Sequence, residues 1–325
     1  MMQFDPVLYH DWHPVMRAEL FTDGTVQKVR LLGVDVVLWQ AAGVMHAMRD
    51  LCIHRGAKLS LGKIVNDCIM CPYHGWQYDA SGQCVHMPAH PEQVPPAKAR
   101  TDVYQVSIRY NLVWVCLGEP TKAVPPFPEW DESGYGHAVC GPFGDIKAHG
   151  PRLIENFLDA AHFPFVHEGV LGDPTRPTLG DYDVRITADG VESDPIEVYQ
   201  PDPYGGIAGR VTYTYHAYRP YTAHFTKHMP AATNGMVMTL TPHDDGVCSV
   251  WFLVATSAVS DHATLETNYT PRIAAILAED VAVVESQRPE LLPLDMQAEL
   301  HLRSDRVAIA YRRWLAQLGL KAGVA

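Results

Sequence analysis

Two short loops constrain this chain more than any other feature. Cys52-Ile53-His54 is followed, after sixteen intervening residues, by Cys71-Pro72-Tyr73-His74. Each loop supplies one thiolate, a soft metal ligand, and one imidazole, a borderline one. A shared metal group would require both loops to meet, so the fold has to deliver them to one point. The sequence around them is strand-like. VQKVRLLGVDVVLWQ carries valines and leucines in strand-like runs. CIMCPYHGWQYDASGQCVHMP spells two short strands around the turn Asp79-Ala80-Ser81-Gly82, and VSIRYNLVWVCLG a hairpin turning at Asn111, a residue that tolerates the left-handed backbone. Residues 26–118 are therefore expected to be β-rich.

Two thiolates and two imidazoles have two physical solutions: tetrahedral zinc, or a two-iron, two-sulfide cluster with both cysteines on one iron and both histidines on the other. Zinc modules usually repeat Cys-x-x-Cys or close with two spaced histidines. Here each loop interleaves one Cys and one His, so each can give one ligand to each iron. Cys68 mimics a Cys-x-x-Cys pair with Cys71, but residues an odd number apart on a strand face opposite ways. A buried structural thiol is the expectation for it. Cys84, His86 and His90 are expected to be hairpin and loop residues, and Tyr73 and Trp76 to pack around the site and limit water. The two loops, Cys52-Ile-His54-Arg-Gly and Cys71-Pro-Tyr-His74-Gly-Trp, resemble the ligand loops of Rieske iron–sulfur proteins.

PTKAVPPFPEW (120–130) has four prolines in eleven residues and is expected to be a linker. The boundary is placed there, giving domains 1–119 and 120–325. The second domain should open with a helix near PRLIENFLDAAHF, continue through strands over about 180–258 with turns at Asp189-Gly190 and Asp245-Gly246, and close with two helices. Thr270 and Pro271 are the expected start of one, which Pro289 stops. Ser304 is the expected cap of the other, and Gly319 its end.

A cluster passes electrons singly and does no chemistry on a substrate, so the second domain must supply the chemistry. NFLDAAHFPFVHEG holds Asn156, Asp159, His162 and His167. On a helix, Asp159 and His162 share a face. Pro164 disfavours helix at Phe163, so the chain can bend and bring both imidazoles together. Far downstream, Asp280 interrupts the apolar stripe Ile273, Ile276, Leu277 and Val284. A buried lone carboxylate is costly, and coordination to a cation relieves that cost. Two histidines and one carboxylate form the facial triad of non-haem Fe(II) oxygenases. Glu279, Glu285 and Glu168 are rival carboxylates.

Asn-x-x-Asp-x-x-His-x₄-His after the two ligand loops, then an Asp on a late helix, resembles the catalytic subunit of Rieske non-haem iron oxygenases. The likeness covers nearly the whole chain. Within that superfamily it extends to the monooxygenases and aryl O-demethylases of the vanillate and dicamba kind. PAHPEQVPP, FPEW, HFPFVHEG and SDRVAIAYRRWL look closest to the saxitoxin-pathway hydroxylase branch. The resemblance implies an α+β chain: an N-terminal all-β [2Fe-2S] domain and a C-terminal helix-grip catalytic domain, an antiparallel sheet with helices. It implies that Cys52, His54, Cys71 and His74 hold the cluster, and that His162, His167 and Asp280 hold a mononuclear Fe(II). Asp159 would orient His162 and bridge to His74 of a neighbouring subunit in a head-to-tail homotrimer, with Asn156 beside the iron.

The implied reaction is monooxygenation: O₂ and electrons hydroxylate a C–H bond of a small organic substrate, with demethylation where the carbon is a methyl on oxygen or nitrogen. No Gly-x-Gly-x-x-Gly follows a strand and no four-cysteine ferredoxin loop is present. Electrons must therefore come from a separate reductase of flavin or ferredoxin type. A Rieske electron carrier, a ring dioxygenase of the same superfamily and a zinc-stabilised binding protein are the rivals. A net charge of −12 argues against nucleic acid or an anionic membrane as partner, and weakly favours a basic partner or cationic ligand. No membrane-length apolar stretch or secretion signal stands in the sequence, and seven scattered cysteines suit a reducing compartment, so a cytoplasmic protein is expected. The strand region 205–256, with Tyr213, Tyr215, Met229, Met236 and Met238, is expected to line the substrate pocket. Tyr311-Arg312-Arg313-Trp314 is expected to present a solvated helix face whose basic pair could receive an acidic reductase.

Overall fold

A computed structural model describes residues 5–203, 207–259 and 261–325. Residues 1–4, where the expectation of no secretion signal falls, and 204–206, near the start of the expected pocket-lining region, lie outside the described residues. The chain divides into two compact units. One is Tyr9–Val124 with Pro242–Asp244, and the other is Asp5–Leu8, Pro125–Thr241 and Asp245–Ala325.

The first unit is built from β1 (His13–Arg17), β2 (Val26–Leu31), β3 (Val34–Ala41), β4 (Val44–Arg49), β5 (Lys63–Val65), β6 (Cys68–Met70), β7 (Gln77–Tyr78), β8 (Cys84–His86), β9 (Val103–Arg109) and β10 (Leu112–Cys116). Six form an antiparallel sheet in the order β1-β10-β9-β4-β3-β2, and β5 to β8 form a four-stranded meander. The sequence of β3 explains how the layers sort. Its central residues are an unbroken apolar run, the pattern of a strand buried on both faces. Val36 and Leu38 pack with Leu31, Ala47, Val113 and Val115. Val37, Trp39 and Ala41 face the other way and pack with Met48, Cys52, Leu59, Ile69, Cys71 and Tyr78. One strand thus closes the sheet core on one side and the floor beneath the two ligand loops on the other.

The expected turns form. Tyr110 and Asn111 both take positive φ (55° and 59°) between β9 and β10, the geometry of a two-residue hairpin turn. In the 79–82 turn, Asp79 Oδ1 accepts from the Ser81 and Gln83 amides at 2.9 and 3.1 Å. Cys68 differs from expectation: at the edge of its short strand it is half-buried, not buried.

The second unit opens with α2 (Pro128–Asp131), the short α1 (Pro6–Tyr9) having started the chain. Its strands are β11 (Gly136–Ile146), β12 (Val184–Thr187), β13 (Gly190–Ser193), β14 (Ile196–Gln200), β15 (Gly209–Arg219), β16 (Thr222–His228), β17 (Thr233–Asp244) and β18 (Val247–Thr256). The sheet runs β11-β18-β17-β16-β15-β13-β12, with β14 also on β15. The helices are α3 (Gly150–Phe157), α4 (Phe163–Val166), α5 (His262–Val284) and α6 (Arg306–Leu318). The expected linker is partly built into this unit. Glu129 of α2 is buried and accepts hydrogen bonds from His224 (2.9 Å) and the Thr226 hydroxyl.

Helix boundaries depart from the sequence reading in three places. The first expected helix ends at Phe157, so Asp159 and His162 lie in the break before α4, and Pro164 is tolerated in the first turn of α4. Helix α5 starts eight residues before Thr270: Asp261 caps it, accepting from the Thr264 amide at 2.8 Å, and Pro271 lies inside. The buried stripe Leu265, Tyr269, Ile273, Leu277 carries the helix through that proline. The carbonyl deprived of its donor belongs to Thr267, which is exposed to water. Helix α6 starts at Arg306, after a 3₁₀ turn that contains Ser304. Asp305, not Ser304, closes that turn by accepting from the Leu302 amide at 2.7 Å. Gly319, at φ 74°, ends α6 as expected.

Candidate metal centres

The two ligand loops share one backbone design. The Cys52 amide donates to Ala57 O (2.8 Å) and the Gly56 amide to Cys52 O (2.9 Å). The Cys71 amide donates to Trp76 O (2.8 Å) and the Gly75 amide to Cys71 O (3.0 Å). In both loops the fourth residue after the cysteine is a glycine with positive φ, 72° at Gly56 and 70° at Gly75. Cys52 and Cys71 are buried, while His54 is half-buried and His74 exposed. The imidazole rings stand 4.5 Å apart, and Trp76 stacks on His54 at 4.4 Å and 3°. Trp76 therefore shields the site as expected. Tyr73 does not: it tilts against His74 and stays 65% exposed.

The donor set fits an iron–sulfur cluster. His54 Nδ1 is buried with no hydrogen-bond partner among the described residues, and a buried nitrogen lone pair is costly unless something binds it. Burial pushes the Cys52 thiol up, although the Tyr78 hydroxyl, 3.1 Å from its sulfur, works the other way. A cationic iron would hold that sulfur ionised.

The second constellation gathers at the two ends of α4, capped by His162 and His167, and at α5. His162 Nε2 and His167 Nε2 are 3.2 Å apart, and each faces Asp280 Oδ1, at 3.4 and 3.0 Å. These atoms lie within 4.8 Å of one another, close enough to hold one metal ion. Asp159 Oδ1 accepts from the Ala161 amide (2.8 Å) while Oδ2 meets His162 Nδ1 (3.1 Å), so one carboxylate sets both the turn and the ring. The contact expected of a helical pair survives without the helix. Glu279, a rival for the ligand role, instead meets His167 Nδ1 at 2.7 Å. Glu285 accepts from the Lys147 amide, and Glu168 is exposed. Asn156 donates to Asp280 Oδ1 at 3.2 Å.

Charge follows geometry here. Burial opposes charging His162, but Asp159 and Asp280 outweigh it and lift the imidazole to about 9. Burial also opposes ionising Asp280, yet hydrogen bonds from His162 and His167 hold its carboxyl at about 2. The triad is thus a strongly polarised cluster in the lining of a cavity of about 70 Å³. Among the residues expected in the lining, Tyr213, Met236 and Met238 are present, whereas Tyr215 and Met229 are not. Phe225, Lys227 and Asn234 complete the floor and were missed. Alternation within β16 puts Phe225 and Lys227 on one face but does not say which face meets the cavity.

The expected solvated face of α6 is corrected. Arg312 is 3% exposed and bonds Glu155 through Nε and Nη2 and Glu299 through Nη2. Only Arg313 of the basic pair is exposed, so no paired docking site for an acidic reductase exists there.

A β-rich unit carrying two Cys/His loops, followed by a helix-covered sheet with a two-histidine, one-carboxylate cluster, defines a Rieske oxygenase. Residues 11–105 match the Rieske [2Fe-2S] domain family, and residues 146–321 match the vanillate O-demethylase oxygenase C-terminal domain family. The chain belongs to the Rieske non-haem iron oxygenases. It is 30% identical to methylxanthine N1-demethylase NdmA of Pseudomonas putida, over 96% of this chain and 89% of that protein. It is 29% identical to methylxanthine N3-demethylase NdmB of the same organism, over 97% and 90%. The solved structure of NdmA with caffeine superposes with a TM-score of 0.83 at 28% identity, covering 96% of this chain and 91% of that one. These likenesses support the oxygenase catalytic subunit and do not support the narrower likeness to the saxitoxin-pathway hydroxylases. The protein is an enzyme that uses a [2Fe-2S] cluster and a mononuclear non-haem iron, and the electron-carrier and zinc-binder readings fall away.

Proposed function

We propose that this chain is the oxygenase component of a demethylase that removes a methyl group from nitrogen or oxygen of a small aromatic compound. The observation that carries it is the His162–His167–Asp280 cluster opening onto a largely apolar cavity floored by Phe225 and Met236. The similarity to two methylxanthine N-demethylases, each over nearly the whole chain, supports the same reaction class.

In this reading Cys52, His54, Cys71 and His74 hold the cluster, and His162, His167 and Asp280 hold the mononuclear iron. The cluster supplies single electrons, and the mononuclear iron supplies a site for O₂ activation. Asp159 orients His162, Glu279 orients His167, and Asn156 holds Asp280 in place. The carboxylate partners fix which ring nitrogen faces the metal. Apolar walls exclude water and leave the substrate methyl as the nearest oxidisable group. Once that methyl carries a hydroxyl, its bond to nitrogen or oxygen breaks and formaldehyde leaves.

The proposed assembly is a homotrimer in which Asp159 of one subunit meets His74 of a neighbouring subunit. His74 is exposed and Asp159 keeps 31% of its side chain exposed, so both are open to such a contact. A separate reductase feeds the cluster. None of the seven cysteines is in a disulfide, which supports a reducing, cytoplasmic setting. The test is anaerobic reconstitution with iron and sulfide, then turnover with a reductase on a panel of N-methyl and O-methyl aromatics. About three irons and two acid-labile sulfides per chain, with formaldehyde formed in step with O₂ uptake, are expected. Hydroxylated products with the methyl bond intact across the panel would refute the demethylase reading.

A further inference from the structure

The cavity beside the metal cluster is too small, as it stands, for an aromatic substrate. A benzene ring is held by a cavity of about 150 Å³, and the volume here is about 70 Å³. The walls therefore have to part before a ring enters. Leu171, on the loop after α4, forms one wall, and Ile273 with Ile276 of α5 forms another. Asp202, just beyond β14, ties these two walls together. Its amide donates to Val170 O (3.3 Å), next to Leu171. It also accepts twice from Arg272 of α5: Nη1 reaches Oδ2 at 2.6 Å, and Nη2 reaches the Asp202 carbonyl oxygen at 2.8 Å. Arg272 stands one helical turn before Ile276, on the same side of α5.

The contact has the character of a clasp and not of a strut. The Arg272 and Asp202 side chains keep 25% and 43% of their surface exposed. An ion pair so open to water is worth ~1 kcal/mol or less, so it can break and re-form within a catalytic cycle. It also lies between the cavity and solvent. Burial draws Lys227, in the cavity lining, down to about 7, with Arg272 acting in the same direction and Asp202 against it. Both charges of the pair are thus felt at the cavity while their side chains meet water. Farther along the loop after α4, the Arg176 guanidinium lies over the Tyr199 ring of β14 at 4.2 Å. The loop therefore stays fastened at that point when the clasp opens.

We propose that Asp202 and Arg272 gate substrate entry: the cavity admits an aromatic ring when their contact breaks, and closes around it when the contact re-forms. The gate selects by size, since a ligand that fits the closed cavity is not held up by it. The inference rests on the demethylase reading for one point, the aromatic ring of the substrate.

Stopped-flow mixing of the oxidised, iron-loaded full-length protein with catechol and with azide tests this. Catechol colours ferric iron only after its ring has entered the cavity, whereas azide is far smaller. The azide rate should rise linearly with concentration in every form. The catechol rate in wild type should level off at a ceiling, the rate at which the walls part. Asp202→Asn keeps the carbonyl contact and discards the charge, and should lift that ceiling ~3–10-fold. Arg272→Gln should lift it at least as far. Salt near 1 M, where screening length falls to about 3 Å, should raise the wild-type ceiling and leave that of Arg272→Gln in place. A wild-type catechol rate without a ceiling, a ceiling that neither variant moves, or no catechol band in any form overturns the proposal. Should one variant fail to fold the other decides, and should both fail the salt series in wild type decides. Formaldehyde from the methylated panel is scored separately. A ceiling relieved by the variants, without formaldehyde from any substrate, sinks the demethylase reading and spares the gate. Formaldehyde from a wild type that shows no ceiling does the reverse.

Discussion

Two carboxylates each back a histidine of the metal cluster and a third side chain is a buried lysine, and each yields a test. Asp159 holds both its own turn and His162. Asp159→Asn preserves the shape and removes the charge, so metal content should stay at the wild-type level while coupled turnover falls ~10–100-fold. Unchanged turnover, read as formaldehyde per O₂, would dismiss the role. Glu279 backs His167 in the same manner. Glu279→Gln should weaken mononuclear iron binding ~10–100-fold in a chelator competition while leaving the cluster's visible spectrum unchanged. Lys227 gives a pH signature. Its folded-state value of about 7 lies below the 10.5 of an unfolded lysine. Between those values the unfolded chain holds a proton that the folded chain lacks, so this residue makes stability rise with pH across that window and contributes no slope below it. Denaturant titrations from pH 6 to 10 should show a steeper rise in wild type than in Lys227→Met, and the variant should be the more stable near pH 7.

At the scale of elements, the break between α3 and α4 does the positioning. The loop after α4 closes against the first turn of α4 at Gly172, where an added Cβ would fall 2.4 Å from the Pro164 nitrogen and 2.6 Å from the Phe163 carbonyl carbon. Gly172→Ala should displace the segment between His162 and His167. Loss of mononuclear iron with a retained cluster signal, and a cost of ~1–3 kcal/mol in unfolding, is the expected result. Beside α3, the buried Arg152 and Arg312 meet the partly exposed Glu155 and Glu299 in a quartet that joins α3, α6 and the segment after α5. Arg152 and Arg312 also donate to the carbonyls of Pro289 and Pro293. Removing Arg312 leaves two partly buried carboxylates sharing the single guanidinium of Arg152. Arg312→Met should therefore cost ~3–5 kcal/mol, measured by urea unfolding of the metal-loaded protein.

For the molecule as a whole, the fold supplies an electron store and a reaction chamber as two separate units, each with its own core. In the proposed homotrimer the particle would have a mass of about 108 kDa, three times 36.1 kDa. Sedimentation would read this directly, and a monomer at working concentration would remove the route from His74 to Asp159 of a neighbouring subunit. Reductase docking stays with surfaces other than the Arg312–Arg313 face, because half of that pair is spent inside the α6 quartet.

What the chain spells out locally was legible in its letters. The cluster loops, the Asn156–His167 segment and Asp280 in its apolar stripe all depend on spacing within a turn or a strand, which the covalent chain imposes. Two domains and their order followed from the same local signals. Tertiary structure alone decided the partners that come from far along the chain. Glu279 meets His167 Nδ1 while Asp280 meets its Nε2, a pairing with a residue 112 positions away that no local pattern states. Arg312 went inside because Glu155, 157 residues away, waits there with a matching charge. Lys227 reached the pocket through a strand register, Tyr213 on one side and Asn234 on the other, that no local pattern specifies. Long-range pairing depends on which surfaces the whole fold brings together, and a sequence states that only through the fold.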